Sequence, residues 1–145
     1  MKLQEVMSRN VEVIRPDVPL QEAARKMAQL NAGPLPVCEG DRLVGMVTDR
    51  DITVRATAAG RDPKTTPIRE AMTEKVVYCF EDQDVREAAR LIEEKQIRRL
   101  PVLNRDKRLV GIVSVGDLAV RTHDKGLTGE VVERVSAPSQ STRWG

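Results

Sequence analysis

The chain has 145 residues, with 24 Lys+Arg against 22 Asp+Glu, a formal net charge of +2 and a charged fraction of 32%. Such a length supports one ordinary domain or two very small ones sharing a core, and the near-balanced, interspersed charge argues against nucleic acid as a partner. No apolar run approaches the ~20 residues that span a bilayer, and the start, Met1-Lys2-Leu3-Gln4-Glu5, lacks the apolar stretch of a secretory signal, so a cytoplasmic protein without membrane association is expected.

Residues 11–14 (Val11-Glu12-Val13-Ile14) predict a first short strand. Leu20, Ala23, Ala24, Met27 and Leu30 then recur at helical spacing behind Pro19, a residue suited to a helix start. Two apolar runs follow, at 35–38 and 43–47, joined by the turn Glu39-Gly40-Asp41, and a second helix begins after Thr48. The stretch Gly60-Arg61-Asp62-Pro63-Lys64-Thr65-Thr66-Pro67 is rich in turn formers and reads as a linker. Beyond it come a strand at 76–80, a helix carrying Val85, Ala88, Ala89 and Ile92, runs at 100–103 and 109–113 around a turn at 104–107, and a helix after Ser114. Asp84 with Glu87 fits a capping box at the start of the first of these helices. Cys38 and Cys79 lie inside apolar stretches without C-x-x-C spacing, so they are expected to be reduced, buried thiols. After Thr122 the pattern decays: residues 128–135 suggest a helical turn or two, and 136–145, with Trp144, a disordered tail.

The second set of elements repeats the first. Residues 3–40 align with 68–105 at a constant offset of 65, and one inserted residue, Asp106, moves the offset to 66 through Arg55 and Arg121. Gln21-Glu22-Ala23-Ala24-Arg25 faces Arg86-Glu87-Ala88-Ala89-Arg90, and Leu35-Pro36-Val37 faces Leu100-Pro101-Val102. Arg42-Leu43-Val44-Gly45-Met46-Val47-Thr48 faces Arg108-Leu109-Val110-Gly111-Ile112-Val113-Ser114. The order strand, helix, strand, strand, helix thus occurs twice, an α+β arrangement. One unit of ~50–60 residues buries too little apolar surface to be comfortably stable alone, so the two are expected to pack face to face about a pseudo-two-fold axis.

Each repeat ends its hairpin with a hydroxyl followed three residues later by an acid: Thr48…Asp51 and Ser114…Asp117. That spacing is a helix capping box, and it is equally a ligand site; spacing alone leaves both open. A helix tip offers free N–H groups to a phosphate, and a carboxylate one turn on accepts two hydrogen bonds from a ribose diol. Nothing assembles into a catalytic centre. The single histidine, His123, has no partner at a recognisable spacing, and neither G-x-x-x-x-G-K-[ST] nor G-x-G-x-x-G occurs, so no enzyme activity is expected.

The starts Met7-Ser8 and Met72-Thr73, the Leu-Pro-Val strands and the endings Leu43-Val44-Gly45-Met46-Val47-Thr48…Asp51 and Leu109-Val110-Gly111-Ile112-Val113-Ser114…Asp117 resemble the CBS motif, named from cystathionine β-synthase. Thr48-Asp49-Arg50-Asp51-Ile52, running on to Asp62-Pro63, is similar to small bacterial proteins made of two such motifs only. The resemblance implies a tandem CBS pair: first motif 1–60, linker 61–67, second motif 68–124, and a partly disordered extension 125–145. It implies a non-catalytic regulatory module binding adenosine-containing ligands (AMP, ADP, ATP, NAD(H) or S-adenosylmethionine) in clefts between the repeats. The nucleotide is then a regulatory ligand rather than a required cofactor, no metal is called for, and a homodimer and an unidentified regulated protein are implied partners. By the same resemblance one cleft sets Met46, Thr48 and Asp51 against Lys75, Val76, Val77, Ile97, Arg98 and Arg99. The other sets Ile112, Ser114 and Asp117 against Asn10, Val11, Glu12, Ala32, Gly33 and Pro34. Arg98-Arg99 in the first has Gly33-Pro34 as its counterpart in the second, so the first is expected to hold the more phosphorylated ligand, although a solvated turn has the same composition. Aromatics are 2% of the chain, so adenine would lie between aliphatic faces such as Val76, Val77 and Met46. Two other readings stand beside this one: a protein-interaction scaffold without nucleotide, and weak nucleic-acid binding through Arg98, Arg99, Arg105, Lys107 and Arg108.

Overall fold

The structure is a computed structural model and describes residues 1–121. His123, Trp144 and the segments 128–135 and 136–145 lie outside the described residues. In the first repeat, α1 (Leu20–Leu30) leads to the antiparallel hairpin β1 (Leu35–Glu39) and β2 (Arg42–Val47). A helix follows, opening as α2 (Asp49–Asp51) and continuing with wider π turns over Ile52–Thr57. The second repeat contains β3 (Cys79–Phe80), α3 (Val85–Lys95), the antiparallel pair β4 (Arg99–Leu103) and β5 (Leu109–Ser114), and α4 (Val115–Arg121). Both long helices end on a left-handed residue at the same repeat position, Asn31 (φ 52°) and Gln96 (φ 53°), which halts the helix and turns the chain into its hairpin. The fold is therefore the α+β tandem pair that the repeat implies.

The first strands form only in part. Ile14 makes one parallel bridge, its N–H donating to the Pro36 carbonyl (3.0 Å) and its own carbonyl accepting from Cys38 N–H (2.9 Å). In the second repeat the predicted strand at 76–80 is reduced to Cys79–Phe80, paired with Val102 and Leu103. The reason is covalent. Continuing either ladder toward the N-terminus requires an N–H from Pro36 or Pro101, and proline has none. The predicted capping box of α3 is also half right. Asp84 accepts from Arg86 N–H (2.9 Å), but the Glu87 carboxylate receives its hydrogen bond from the Gln83 side chain instead.

Two hydrophobic cores form, and each borrows from the other repeat. Leu3, Val6 and Met7, on a short 3-10 turn at the N-terminus, are buried with Cys79, Val85, Ala88, Ile92, Leu100, Val102 and Leu118 of the second repeat. Ile68 and Ala71, on the matching turn after the linker, are buried with Ile14, Leu20, Ala23, Leu35, Val37 and Val47 of the first. Backbone hydrogen bonds tie each turn to its host: Leu3 N–H to Gln83 carbonyl (2.9 Å), and Ile68 N–H to Val18 carbonyl (3.0 Å). Fully burying such a side chain contributes about 1.5–3 kcal/mol, so neither core is complete without the other repeat's leading turn. This exchange also pins the two hairpins together. Met46 and Thr73 exchange N–H···O bonds of 2.9 and 2.8 Å, and Ser8 and Ile112 exchange bonds of 2.8 and 2.9 Å. The close approach requires glycine alongside: a Cβ on Gly45 would lie 2.9 Å from the Thr73 carbonyl oxygen, and one on Gly111 2.9 Å from that of Ser8.

Candidate functional site

The end of each hairpin bears the hydroxyl–acid pair. Thr48 is extended, and its Oγ1 accepts from Asp51 N–H (3.0 Å) while its N–H donates to Asp51 Oδ2 (3.0 Å). Ser114 and Asp117 close the same box at 3.1 and 2.9 Å. The capping interpretation therefore holds in both repeats. It also leaves chemistry over: a hydroxyl oxygen used as an acceptor keeps its proton to donate, and a carboxylate has capacity beyond one bond. Asp51 Oδ1 meets only Arg55 Nε at 3.8 Å, and the Asp51 side chain is 16% exposed.

The first box borders a cavity formed by described residues. A cleft of about 480 Å3 lies between the repeats and is lined by Met46, Thr48 and Asp51 on one side and Lys75, Val76, Val77, Ile97, Arg98 and Arg99 on the other. Every residue predicted for the first cleft is there. The Met46–Thr73 bridge forms its back, so Thr73 joins the lining, as do Pro34 and Pro101. Pro34 was expected in the second cleft and lines both; Pro101 and Thr73 were not anticipated, and the cross-repeat bridge that brings Thr73 in had no local signal.

The second cleft is different. It measures about 180 Å3 and gathers Asn10, Val11, Glu12, Ala32, Pro34 and Ile112 as predicted, together with Leu30, Leu35, Pro36 and Arg99. Gly33, Ser114 and Asp117 do not line it. Gly33 turns toward the start of α2, where a Cβ would meet Asp49 Oδ1 at 2.8 Å. Ser114 and Asp117 are turned onto each other in their cap. Glu12 is committed to Lys26 at 3.1 Å. Ligand cavities usually hold ~300–1,000 Å3, so the first cleft falls inside that range and the second below it.

The electrostatics separate the basic residues as well. Arg105 is held by Asp82 (2.8 and 2.9 Å) and lies 4.2 Å over the Phe80 ring, and Arg108 is paired with Asp41 at 2.7 Å. The Arg105 guanidinium holds the Asp82 carboxyl below its ordinary range. Lys107 and Arg108 line a different cavity, of about 320 Å3, with Arg42, Glu74 and Tyr78, which meets the first cleft at Val76. Two of the five basic residues named for the nucleic-acid reading are thus neutralised in ion pairs, and Lys107 lines a different cavity from Arg98 and Arg99. Tyr78 and Phe80 stack edge to face at 5.6 Å, away from the first cleft, whose apolar wall is aliphatic and thioether. Both cysteines are buried and unpaired with each other, and burial pushes each thiol up to about 11. Among the described residues no group of His, Cys, Asp and Glu could hold a metal ion, and no helix is long and apolar enough to cross a membrane.

A duplicated α+β unit with interlocked cores and clefts lined by both repeats defines a tandem-repeat module. The CBS domain family profile matches residues 3–56 and again 68–123, and the chain belongs to that family. It is similar to the CBS domain-containing protein YhcV of Bacillus subtilis, 40% identical over 134 residues that cover 92% of this chain and 94% of that one. Among solved structures it is similar to Hypoxic Response Protein I with two coordinated zinc ions (TM-score 0.75, 37% identity, 82% of this chain and 97% of that one). It is also similar to the CBS domain pair of protein MJ0100 in complex with 5-methylthioadenosine and S-adenosyl-L-methionine (TM-score 0.70, 28% identity, 82% and 97%).

Proposed function

We propose that the chain is a non-catalytic regulatory module that binds an adenosine-containing ligand in the first cleft. The observation that carries this reading is the convergence on one 480 Å3 cavity of an acid, a hydroxyl, aliphatic walls and three cations, drawn from both repeats. Asp51 Oδ1, which the cap leaves without a hydrogen bond, would accept from a ribose diol, and the Thr48 hydroxyl proton would serve a phosphate oxygen. Met46, Val76, Val77 and Ile97 offer flat apolar contact to the purine. Because the cleft is built across the repeat boundary, a ligand that prefers one spacing of its walls shifts the repeats toward that spacing, and a partner protein reads the change. The similar MJ0100 CBS pair, which carries two adenosyl ligands, supports the ligand class. Self-association into a homodimer belongs to the same reading.

The test is thermal unfolding with ATP, ADP, AMP, NAD, NADH and S-adenosylmethionine, each near millimolar. A ligand present at a hundred times its Kd stabilises by about 2.7 kcal/mol, which for a chain of this size raises Tm by about 10 °C. Asp51→Ala should abolish most of that rise while the unliganded protein still melts cooperatively. No rise with any of the six would leave a scaffold without nucleotide as the reading to pursue.

A further inference from the structure

We infer that the first cleft selects its ligand by phosphate number: Lys75, Arg98 and Arg99 form a three-cation grip for a nucleoside di- or triphosphate, and the cleft turns away a sulfonium nucleoside. The inference rests on the nucleotide reading above and narrows it to a chemical class. Three cations and one carboxylate, Asp51, line the cleft, and half of Asp51's hydrogen-bonding face is already committed to the Thr48 cap. Four basic groups elsewhere are neutralised, Lys26 by Glu12, Arg61 by Glu70, Arg105 by Asp82 and Arg108 by Asp41, while Lys75, Arg98 and Arg99 are distinguished by lining one cavity together. Among the described residues, the side chains of Lys75, Arg98 and Arg99 have no ion-pair or hydrogen-bond partner.

The three are also held by fixed backbone. Arg99 opens β4 opposite Ser114, the Arg98 carbonyl accepts from Val115 N–H at 3.2 Å, and Lys75 follows the Met46–Thr73 bridge. They approach the cavity from two separate segments of the second repeat, facing Thr48 and Asp51 of the first. Gathering like charges around one cavity without counter-ions is unfavourable unless an anion joins them, and a single phosphate cannot occupy three such donors as fully as a phosphate chain. S-adenosylmethionine brings a net positive charge to the same surplus and is repelled. The second cleft shows the contrast: Arg99 reaches its edge as well, but no other cation lines that cavity of about 180 Å3, and its one acid, Glu12, is paired with Lys26.

Isothermal titration of the full chain with ATP, ADP, AMP, adenosine and S-adenosylmethionine tests this. Affinity should rise about tenfold or more from AMP to ATP, S-adenosylmethionine should bind more weakly than AMP, and each chain should take up one nucleotide. Arg98→Gln with Arg99→Gln should bring ATP down to the affinity of AMP while leaving adenosine binding unchanged; both side chains are exposed, so the variant folds, which an unchanged melt verifies. Lys75→Gln alone should produce a smaller loss in the same direction. Equal affinity for AMP and ATP, tight S-adenosylmethionine binding, or a double variant that keeps the preference for ATP would each overturn the three-cation grip and leave the adenosine reading standing. Absence of binding by every adenosine compound would overturn that reading, and the grip with it.

Discussion

Replacing Gly111 with alanine removes no contact and adds one carbon, so it isolates the cross-repeat bridge that sets the spacing of the clefts. The added Cβ would lie 2.6 Å from Met7 Sδ, 2.9 Å from Met7 Cγ and 2.9 Å from the Ser8 carbonyl oxygen. The thioether can swing away, but the carbonyl belongs to a backbone held by the 2.8 and 2.9 Å bonds between Ser8 and Ile112. Over-packing of this kind costs about 1–3 kcal/mol, and weakening two backbone hydrogen bonds adds about 0.5–1.5 kcal/mol each if they are lost outright. Partial loss places the total at about 2–4 kcal/mol, or a fall in Tm of about 10 °C for a chain of this length. Far-UV circular dichroism during heating reads that directly, and urea unfolding with an unchanged m-value confirms a stability effect. Gly40→Ala is the control: its Cβ meets nothing within 4 Å, and only the φ of +65° opposes it, at about 1–2 kcal/mol. If Gly111→Ala melts within about 2 °C of the parent, the two repeats are not locked through this bridge.

Four further outcomes follow from the same geometry. Leu3→Ala, although near the N-terminus, should cost about 2–5 kcal/mol, as a core truncation does, because Leu3 is fully buried in the second repeat's core; urea unfolding measures it. Asp51→Ala and Asp117→Ala should each lose about 1 kcal/mol of capping, but only Asp51→Ala should lose nucleotide binding, since Asp117 lines neither cleft. 2′-Deoxy-ATP should bind about tenfold more weakly than ATP in titration calorimetry, because the Asp51 carboxylate then meets one sugar hydroxyl in place of two. For the cysteines the folded pKa lies above the 9.0 of an exposed thiol, so the thiol form stabilises the fold below pH 9 and that contribution fades as pH climbs toward about 11. A chemical-denaturation series from pH 8 to 11 should show falling stability, and a Cys38→Ala, Cys79→Ala variant should show a shallower fall.

The hairpins, both long helices and the hydroxyl–acid pairs could be read from the chain because each depends on local chemistry: alternation, helical spacing, a capping hydroxyl. The first cleft was readable for a different reason, since its residues sit at fixed places in a repeated motif that resembles a known family. The short strands failed where a donor is missing, at Pro36 and Pro101, so that Val11 and Val76 line cavities rather than a sheet. What the chain did not display was exchange across the repeat boundary. Nothing local distinguishes Leu3 packing on its own repeat from Leu3 packing on the other, and the same holds for Ile68. The inequality of the clefts was visible in Arg98-Arg99 against Gly33-Pro34, but its size was not: both hydroxyl–acid pairs close the same cap, and what differs is that Gly33 turns to Asp49 rather than into the second cleft.

A crystal structure of the protein grown with millimolar ATP tests the central claim most directly. The account places one nucleotide per chain between Met46 and Val76, with its ribose on Asp51 and its phosphates against Arg98 and Arg99. Density for ATP in the 180 Å3 cleft or in the cavity beside Lys107, with the 480 Å3 cleft filled by side chains, would contradict it.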